Sequence, residues 1–166
     1  MSSLGHSGTA AGGELEEKND FTKETDETLA NVTTLLSSNS LPEALAALAA
    51  LEKKCRTGND NKSLARVCTA AVQACKDDSA ALLQTLHTYA TRRSQKMAAI
   101  RALVETALPW CVQEPYTPVP TASKEEQTAR DALVTALRDI TDGKLFLERE
   151  RAQLTRAYAT IKVCMD

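Results

Sequence analysis

Apolar residues recur at three- and four-residue intervals along almost the whole chain beyond residue 20, and this spacing constrains the fold more than any other feature. Such a repeat places the apolar side chains on one face of an α-helix. Most of these residues are Ala and Leu, which favour helix, whereas runs of β-branched residues are nearly absent. The pattern therefore predicts an all-α protein.

Cap and stop residues divide the pattern into seven predicted helices. Ser40-Leu41-Pro42-Glu43 and Ser123-Lys124-Glu125-Glu126 match the capping box that begins a helix. Asp77-Asp78 is interpreted as a break and cap, Pro109 should kink or end the fifth helix, and Gly143 supplies a left-handed stop after the sixth. The predicted helices cover roughly 22–36, 40–54, 61–76, a fourth and a fifth that meet around 91–94, a sixth from 123 to 142, and 144–162.

Each predicted helix has an apolar stripe that should face the core. The turn at 56–60 and a proline-stiffened loop at 114–121 should lie outside it. The residues expected to face inward are Leu29, Val32, Leu36, Leu41, Leu45, Leu48, Leu64, Val67, Cys68, Ala71, Cys75, Leu82, Leu83, Leu86, Ala90, Met97, Ile100, Val104, Leu108, Cys111, Leu133, Ala136, Leu137, Ile140, Leu147, Leu154, Tyr158 and Ile161.

Short connections between these helices predict antiparallel hairpins of about 35–45 residues, the unit size of two-helix repeats. We therefore expect a right-handed α-solenoid of TPR-like helical repeats over residues 21–166. Residues 1–20 are small and polar, which predicts a disordered tail. Because the last predicted helix has no polar capping helix after it, we expect the chain to be part of a longer array.

The net charge and the cysteines indicate which classes of partner the chain favours and in which cellular compartment it works. The formal net charge is -2, from 20 basic and 22 acidic residues, so the overall balance does not favour nucleic acid or an anionic membrane. The five cysteines include no CxxC pair, and Cys68 and Cys75 lie about 10 Å apart along one helix. Reduced thiols in the cytoplasm or nucleus are the natural interpretation. No segment has the pattern of a membrane span or a secretory signal.

Residues with catalytic potential are sparse. Of the two histidines, His6 lies in the predicted tail and His87 on the fourth helix, where packing or surface exposure is the simpler interpretation. Asp77-Asp78 is interpreted as a cap rather than a cation site, and no phosphate-binding glycine loop is present. The alternating charges of 148–151 indicate an ion-paired helix face. We therefore predict no catalytic, cofactor-binding or metal-binding residue, and no enzyme activity.

Two basic clusters and one aromatic residue leave alternatives open. The first basic cluster is Arg92, Arg93, Lys96 and Arg101; the second is Lys53, Lys54 and Arg56. Either cluster could bind RNA phosphates, but no interleaved aromatic residues provide a stacking platform, so a solvated face or an acidic protein partner is favoured. Trp110 either packs in the core or anchors a partner.

Several strings resemble a known family. They are LEKKCRT at 51–57, LARV at 64–67, TRRSQK at 91–96, TDGK at 141–144, ERERAQLT at 148–155 and ATIK at 159–162. In order and spacing they are similar to the amino-terminal helices of PCI-type subunits of the 26S proteasome lid. The resemblance spans roughly 29–162.

The resemblance implies a non-catalytic α-solenoid arm of the proteasome regulatory particle, supporting ubiquitin-dependent proteolysis in the cytoplasm and nucleus. Its implied partners are other lid subunits, the deubiquitinase module, the ATPase ring and the outer ring of the core particle. The family continues into a winged-helix PCI module, so the chain is expected to end before it. The alternatives are a scaffold subunit of the COP9 signalosome or of a translation-initiation factor, and an RNA-binding helical repeat.

Overall fold

The computed structural model describes residues 18–165, and helices make up most of that stretch. The all-α prediction is confirmed. The seven α-helices of the described residues are α1 (Thr22–Ser37), α2 (Leu41–Thr57), α3 (Asn61–Ala74), α4 (Ser79–Ala90), α5 (Met97–Ala107), α6 (Lys124–Thr141) and α7 (Glu148–Met165). Two single-turn 3₁₀ helices, Leu108–Trp110 and Leu145–Leu147, follow α5 and precede α7.

The helices stack in the manner of a helical repeat. Consecutive helices α1 and α2, α2 and α3, and α6 and α7 pack as pairs, and alternate helices lie side by side, α1 with α3, α3 with α5 and α4 with α6. The α3–α5 contact is the most extensive. Each pair therefore buries its apolar stripe against the next pair, and one continuous core runs through the described residues.

The predicted core is largely confirmed. Leu48, Leu64, Leu86, Leu137 and Leu154 are fully buried, as predicted. The stripe of α3 is buried at every predicted position, because α3 has neighbours on several sides. The inward positions that the structure leaves only half-buried are Leu29, Leu36, Leu41, Leu45, Leu83, Ala90, Leu108, Ala136 and Tyr158.

The prediction for Met97 is wrong. Its side chain is 64% exposed, because it is the first residue of α5 and precedes the turn at which the helix packs against α3. The fifth helix itself ends as Pro109 predicted, passing into the 3₁₀ turn. Gly143 also stops α6 as predicted, with a φ of 70°.

The segment predicted as a loop at 114–121 contains a small hairpin. Strands β1 (Val112–Gln113) and β2 (Thr117–Pro118) pair antiparallel around a tight turn. The backbone N–H of Val119 then donates to the carbonyl of Cys111 at 3.0 Å. This strand pairing was not predicted from the sequence because the segment is rich in proline, which is uncommon in strands. The hairpin packs against α7, so the connection between α5 and α6 is part of the fold.

The chain enters α1 along the α2–α3 turn. The backbone N–H of Asn19 donates to the carbonyl of Gly58 at 2.9 Å, inside the predicted tail. A Cβ on Gly58 would lie 2.6 Å from Cε2 of Phe21, so this approach requires glycine. Residues 1–17 lie outside the described residues, and the division of the chain at residue 20 stays a prediction.

The two predicted capping boxes differ in the structure. Ser123 accepts a hydrogen bond from the N–H of Glu126 at 3.1 Å, while Glu126 accepts from the N–H of Ala122 at 2.9 Å. Ser40 occupies the N-cap of α2 but its side chain makes no cap hydrogen bond, so that capping box is wrong. Asp78 caps α4 as predicted, accepting from the N–H of Ala81 at 3.0 Å.

We expect Asp78→Ala to lower the free energy of unfolding by about 1 kcal/mol, because the replacement leaves an N–H group of the first turn of α4 without its partner. Ser40→Ala is the matched control and should change it by less than about 0.5 kcal/mol, since no cap hydrogen bond is lost. Urea denaturation of both variants measures the difference. Equal losses in the two variants would contradict the assignment of the caps.

Candidate protein-docking surface

One arginine from each predicted basic cluster contacts the same buried carboxylate. Glu52 on α2 is fully buried, and its Oε1 accepts from Nε of Arg56 at 2.9 Å and from Nε2 of Gln95 at 3.1 Å. Nε of Arg92 lies 3.4 Å from the other oxygen, Oε2. A charge this deep needs such partners, because desolvation of a carboxylate costs several kcal/mol. Glu52, Arg56, Arg92 and Gln95 therefore form an internal ion network that joins α2 to the α4–α5 turn.

Other members of the basic clusters are also engaged with the protein. Lys54 pairs with Glu24 of α1 at 2.7 Å. Nζ of Lys96 donates to the side-chain oxygen of Asn59 at 2.9 Å, and Arg101 donates to the carbonyl of Phe146 at 2.8 Å. Cations that hold helices together in this way are less available to phosphates, so the structure does not strengthen the RNA alternative.

The predicted ion-paired face at 148–151 has different partners from those expected. Arg151 pairs with Asp142 at 3.1 Å and also donates to the carbonyl of Arg138 at 3.0 Å. No ion pair joins the four side chains of 148–151 to one another in the structure as described. Arg151 therefore links α7 to the end of α6 and does not pair with its neighbours on α7.

The other candidate residues lie apart. His87 is exposed on α4 and lines a shallow groove with Ile140 and Lys144, and Asp77 lies at the exposed α3–α4 turn. His6 falls outside the described residues. Within 18–165 no three His, Cys, Asp or Glu side chains are grouped as metal ligands, and no helix is long and apolar enough for a membrane span. The prediction that the chain has no catalytic or metal site stays a prediction.

Trp110 packs against the core, and it also lines a surface cavity. It is half-buried and packs against the hydrophobic core, with Nζ of Lys76 5.5 Å from its ring centroid. It also lines a cavity of about 340 Å³ with Leu82, Pro120 and Leu133. A cavity of this size and apolar lining could accept one bulky side chain of a partner.

A shallow groove continues from this cavity along α6, between α4 and α7. We call it the α6 groove; it is lined by Leu83 of α4, by Thr128, Asp131, Ala132, Thr135, Ala136 and Asp139 of α6, and by Tyr158, Ile161, Lys162 and Met165 of α7. Its volume is about 590 Å³. Small residues on α6 form its floor, and Met165 at its edge is 69% exposed. Such a groove can bury an apolar helix face of another protein.

Sequence reasoning missed the α6 groove. The signal was the spacing of Ala129, Ala132 and Ala136, which places small side chains on one face of α6. The simpler interpretation was that this alanine face packs against the core. Only the positions of α4 and α7 show that part of the face remains uncovered.

Four cysteines are buried and one is exposed. Burial raises the pKa of Cys55 to about 11 and that of Cys111 to about 12. Burial also raises the pKa values of Cys68 and Cys75. Thiolates react with disulfide reagents, so these four should be inert in the native protein.

We expect a thiol-titration reagent to modify only Cys164 rapidly in the native protein, and all five cysteines after denaturation. Rapid modification of more than one thiol in the native protein would contradict the burial of the other four.

Comparisons with known proteins give a consistent result. The family model described as PSMD12/CSN4, N-terminal, matches residues 43–164. The chain is similar to the 26S proteasome non-ATPase regulatory subunit 12 of Dictyostelium discoideum, with 30% identity over 130 residues, which cover 77% of this chain and 27% of the relative. The chain thus spans about a quarter of the length of that relative. No solved structure matches.

Proposed function

The chain belongs to the PSMD12/CSN4 N-terminal family, and from this membership we propose that it is a non-catalytic scaffold subunit of the 26S proteasome regulatory-particle lid. The observation that carries the proposal is the similarity to a proteasome regulatory subunit over 130 residues. The role that follows is support of ubiquitin-dependent proteolysis through protein–protein contacts, in the cytoplasm and the nucleus. Its partners are other lid subunits, together with the ATPase ring and the outer ring of the core particle.

The surface of the fold supports a binding role. The α6 groove and the Trp110 cavity both include Leu83, so they form one continuous surface along α4 and α6 that is mainly apolar. Met165, which lines the α6 groove at the end of α7, is 69% exposed. Contiguous apolar surface of this kind marks protein interaction sites.

Affinity purification tests the proposal directly. The tagged full chain, expressed in its source cell, should recover proteasome lid subunits, identified by mass spectrometry. The variant Thr128→Arg places a long cation on the floor of the α6 groove and should reduce that recovery at least tenfold. Gln127→Arg is the matched control, because it adds the same charge at the neighbouring exposed position, which does not line the groove.

The second candidate function is a scaffold subunit of the COP9 signalosome, because the matching family joins PSMD12 and CSN4 under one description. Recovery of signalosome subunits in place of lid subunits in the same purification would favour it. Recovery of a translation-initiation complex would support the related alternative, and recovery of none of these assemblies would contradict the scaffold proposal. Filter binding of RNA across a salt series tests the remaining alternative: saturable binding with a steep salt slope would support it.

A further inference from the structure

The α4–α5 turn concentrates positive charge around one exposed serine. Ser94 is exposed, with a φ of 59°, and it is flanked by Arg92, Arg93 and Lys96. No acidic residue occurs in the sequence between Asp78 and Glu105. The turn therefore has three cations within two residues of a hydroxyl group that faces solvent.

A fourth cation reaches the same turn from α2. Nη1 of Arg56 donates to the carbonyl of Arg93 at 3.2 Å, so its guanidinium lies against the peptide group that precedes Ser94. Among the described residues, the one carboxylate that pairs with any of these four cations is the buried Glu52. Two of the four cations, Arg56 and Arg92, pair with that carboxylate, so the turn keeps an excess of positive charge.

One of these cations has an unused donor. Nε of Arg92 makes no hydrogen bond, although it lies 3.4 Å from Oε2 of Glu52, and the side chain of Arg92 is 33% exposed. If Arg92 turned away, Glu52 would keep Arg56 at 2.9 Å and Gln95 at 3.1 Å. Arg92 can therefore move to a new anion while Arg56 still compensates the charge of Glu52 through Oε1.

We propose that Ser94 is a phosphorylation site for a serine/threonine kinase that selects arginine on the amino-terminal side of its target. In this step Oγ of Ser94 attacks the γ-phosphorus of ATP. The new O–P bond forms as the bond from that phosphorus to the β,γ-bridging oxygen breaks, ADP leaves, and the hydroxyl proton passes to the base of the kinase. The phosphate then binds the arginines of the turn and clamps it to α2.

The clamp follows from charge and hydrogen-bonding geometry. A phosphoserine carries about −1.5 to −2 charge and three strong acceptor oxygens, and opposite an arginine cluster it forms charge-assisted hydrogen bonds. Arg56 belongs to α2 and Arg92 to the α4–α5 turn, so a phosphate shared between them adds a link between these two elements. This inference does not depend on the proteasome assignment, because it concerns only the charges around one turn.

The first experiment tests modification. The full chain is incubated with ATP, Mg²⁺ and a purified arginine-directed kinase, and the sites are mapped by mass spectrometry. We expect Ser94 to be the main site and Ser94→Ala to lose at least nine-tenths of the incorporation. A peptide of residues 88–100 serves as the reference for recognition. Labelling of the peptide but not of Ser94 in the folded chain, or labelling of neither, would overturn the proposal.

The second experiment tests the clamp. Phosphoserine is installed at position 94 by genetic encoding and, as a matched control, at the exposed Ser38 of the α1–α2 turn, which has no basic neighbour within ten residues. Phosphate at 94 should raise Tm by about 2–4 °C, and the rise should shrink at high salt or in the Arg92→Gln background. A fall in Tm, or the same change at both positions, would refute the clamp.

Discussion

Replacing Arg56 with methionine is expected to lower the free energy of unfolding by about 3 kcal/mol, because it removes the closest partner of a fully buried carboxylate. Glu52 would keep only Arg92 at 3.4 Å and Gln95 at 3.1 Å. We place the loss at the lower end of the range for a broken buried ion pair because these two partners remain. Urea denaturation, with Tm from calorimetry as a second measure, gives the value.

Two further variants show whether the buried charge is the cause. Arg66→Met removes an arginine from the exposed pair with Asp26 and should cost less than about 1 kcal/mol. The double variant Glu52→Leu/Arg56→Met should be more stable than Arg56→Met alone, since no buried carboxylate then lacks its closest cation. If the double variant instead shows the sum of two large losses, the network stabilises the fold by packing rather than by compensating a buried charge.

Replacing Leu103 with alanine is expected to cost about 3–4 kcal/mol, from lost apolar burial and from the cavity that remains. Leu103 is fully buried on α5, and α5 makes its most extensive contact with α3 at the centre of the fold. The neighbouring helices are themselves held by further contacts, so the cavity cannot close completely. Such a loss is a large part of the 5–15 kcal/mol that stabilises a typical domain.

The control for this variant is the same substitution at an exposed leucine. Leu145 is 85% exposed in the α6–α7 connection, and Leu145→Ala should change the free energy of unfolding by less than about 0.5 kcal/mol. Urea denaturation of the two variants under identical conditions measures the difference. Similar losses at positions 103 and 145 would contradict the burial assigned to α5.

The helices were predictable because their signals are local. The apolar repeat, the caps at Asp78 and Ser123 and the stop at Gly143 each act within a few residues, so one sequence contains them in full. The error at Ser40 has the same local origin. Its sequence matches a capping box, but in the folded chain the side chain makes no cap hydrogen bond.

The ion network and the α6 groove were not predictable in the same way. Glu52, Arg56 and Arg92 come from α2 and from the α4–α5 turn, and their meeting depends on how those elements pack. In the sequence Arg92 and Arg56 belong to two separate basic clusters. The simplest interpretation was that both clusters lie on a solvent-exposed face. In the packed fold the two arginines compensate a buried charge, because a buried carboxylate is stable only with cations beside it.

The sequence alone determined that this chain forms amphipathic helices, where most of them begin and end, and to which family it belongs. The tertiary structure alone decided which charges are buried and which apolar side chains remain open, as at Glu52 and Met97. The physical reason is the range of the interactions. Helix formation depends on neighbours within about four residues, whereas burial depends on residues that only the packed fold brings together.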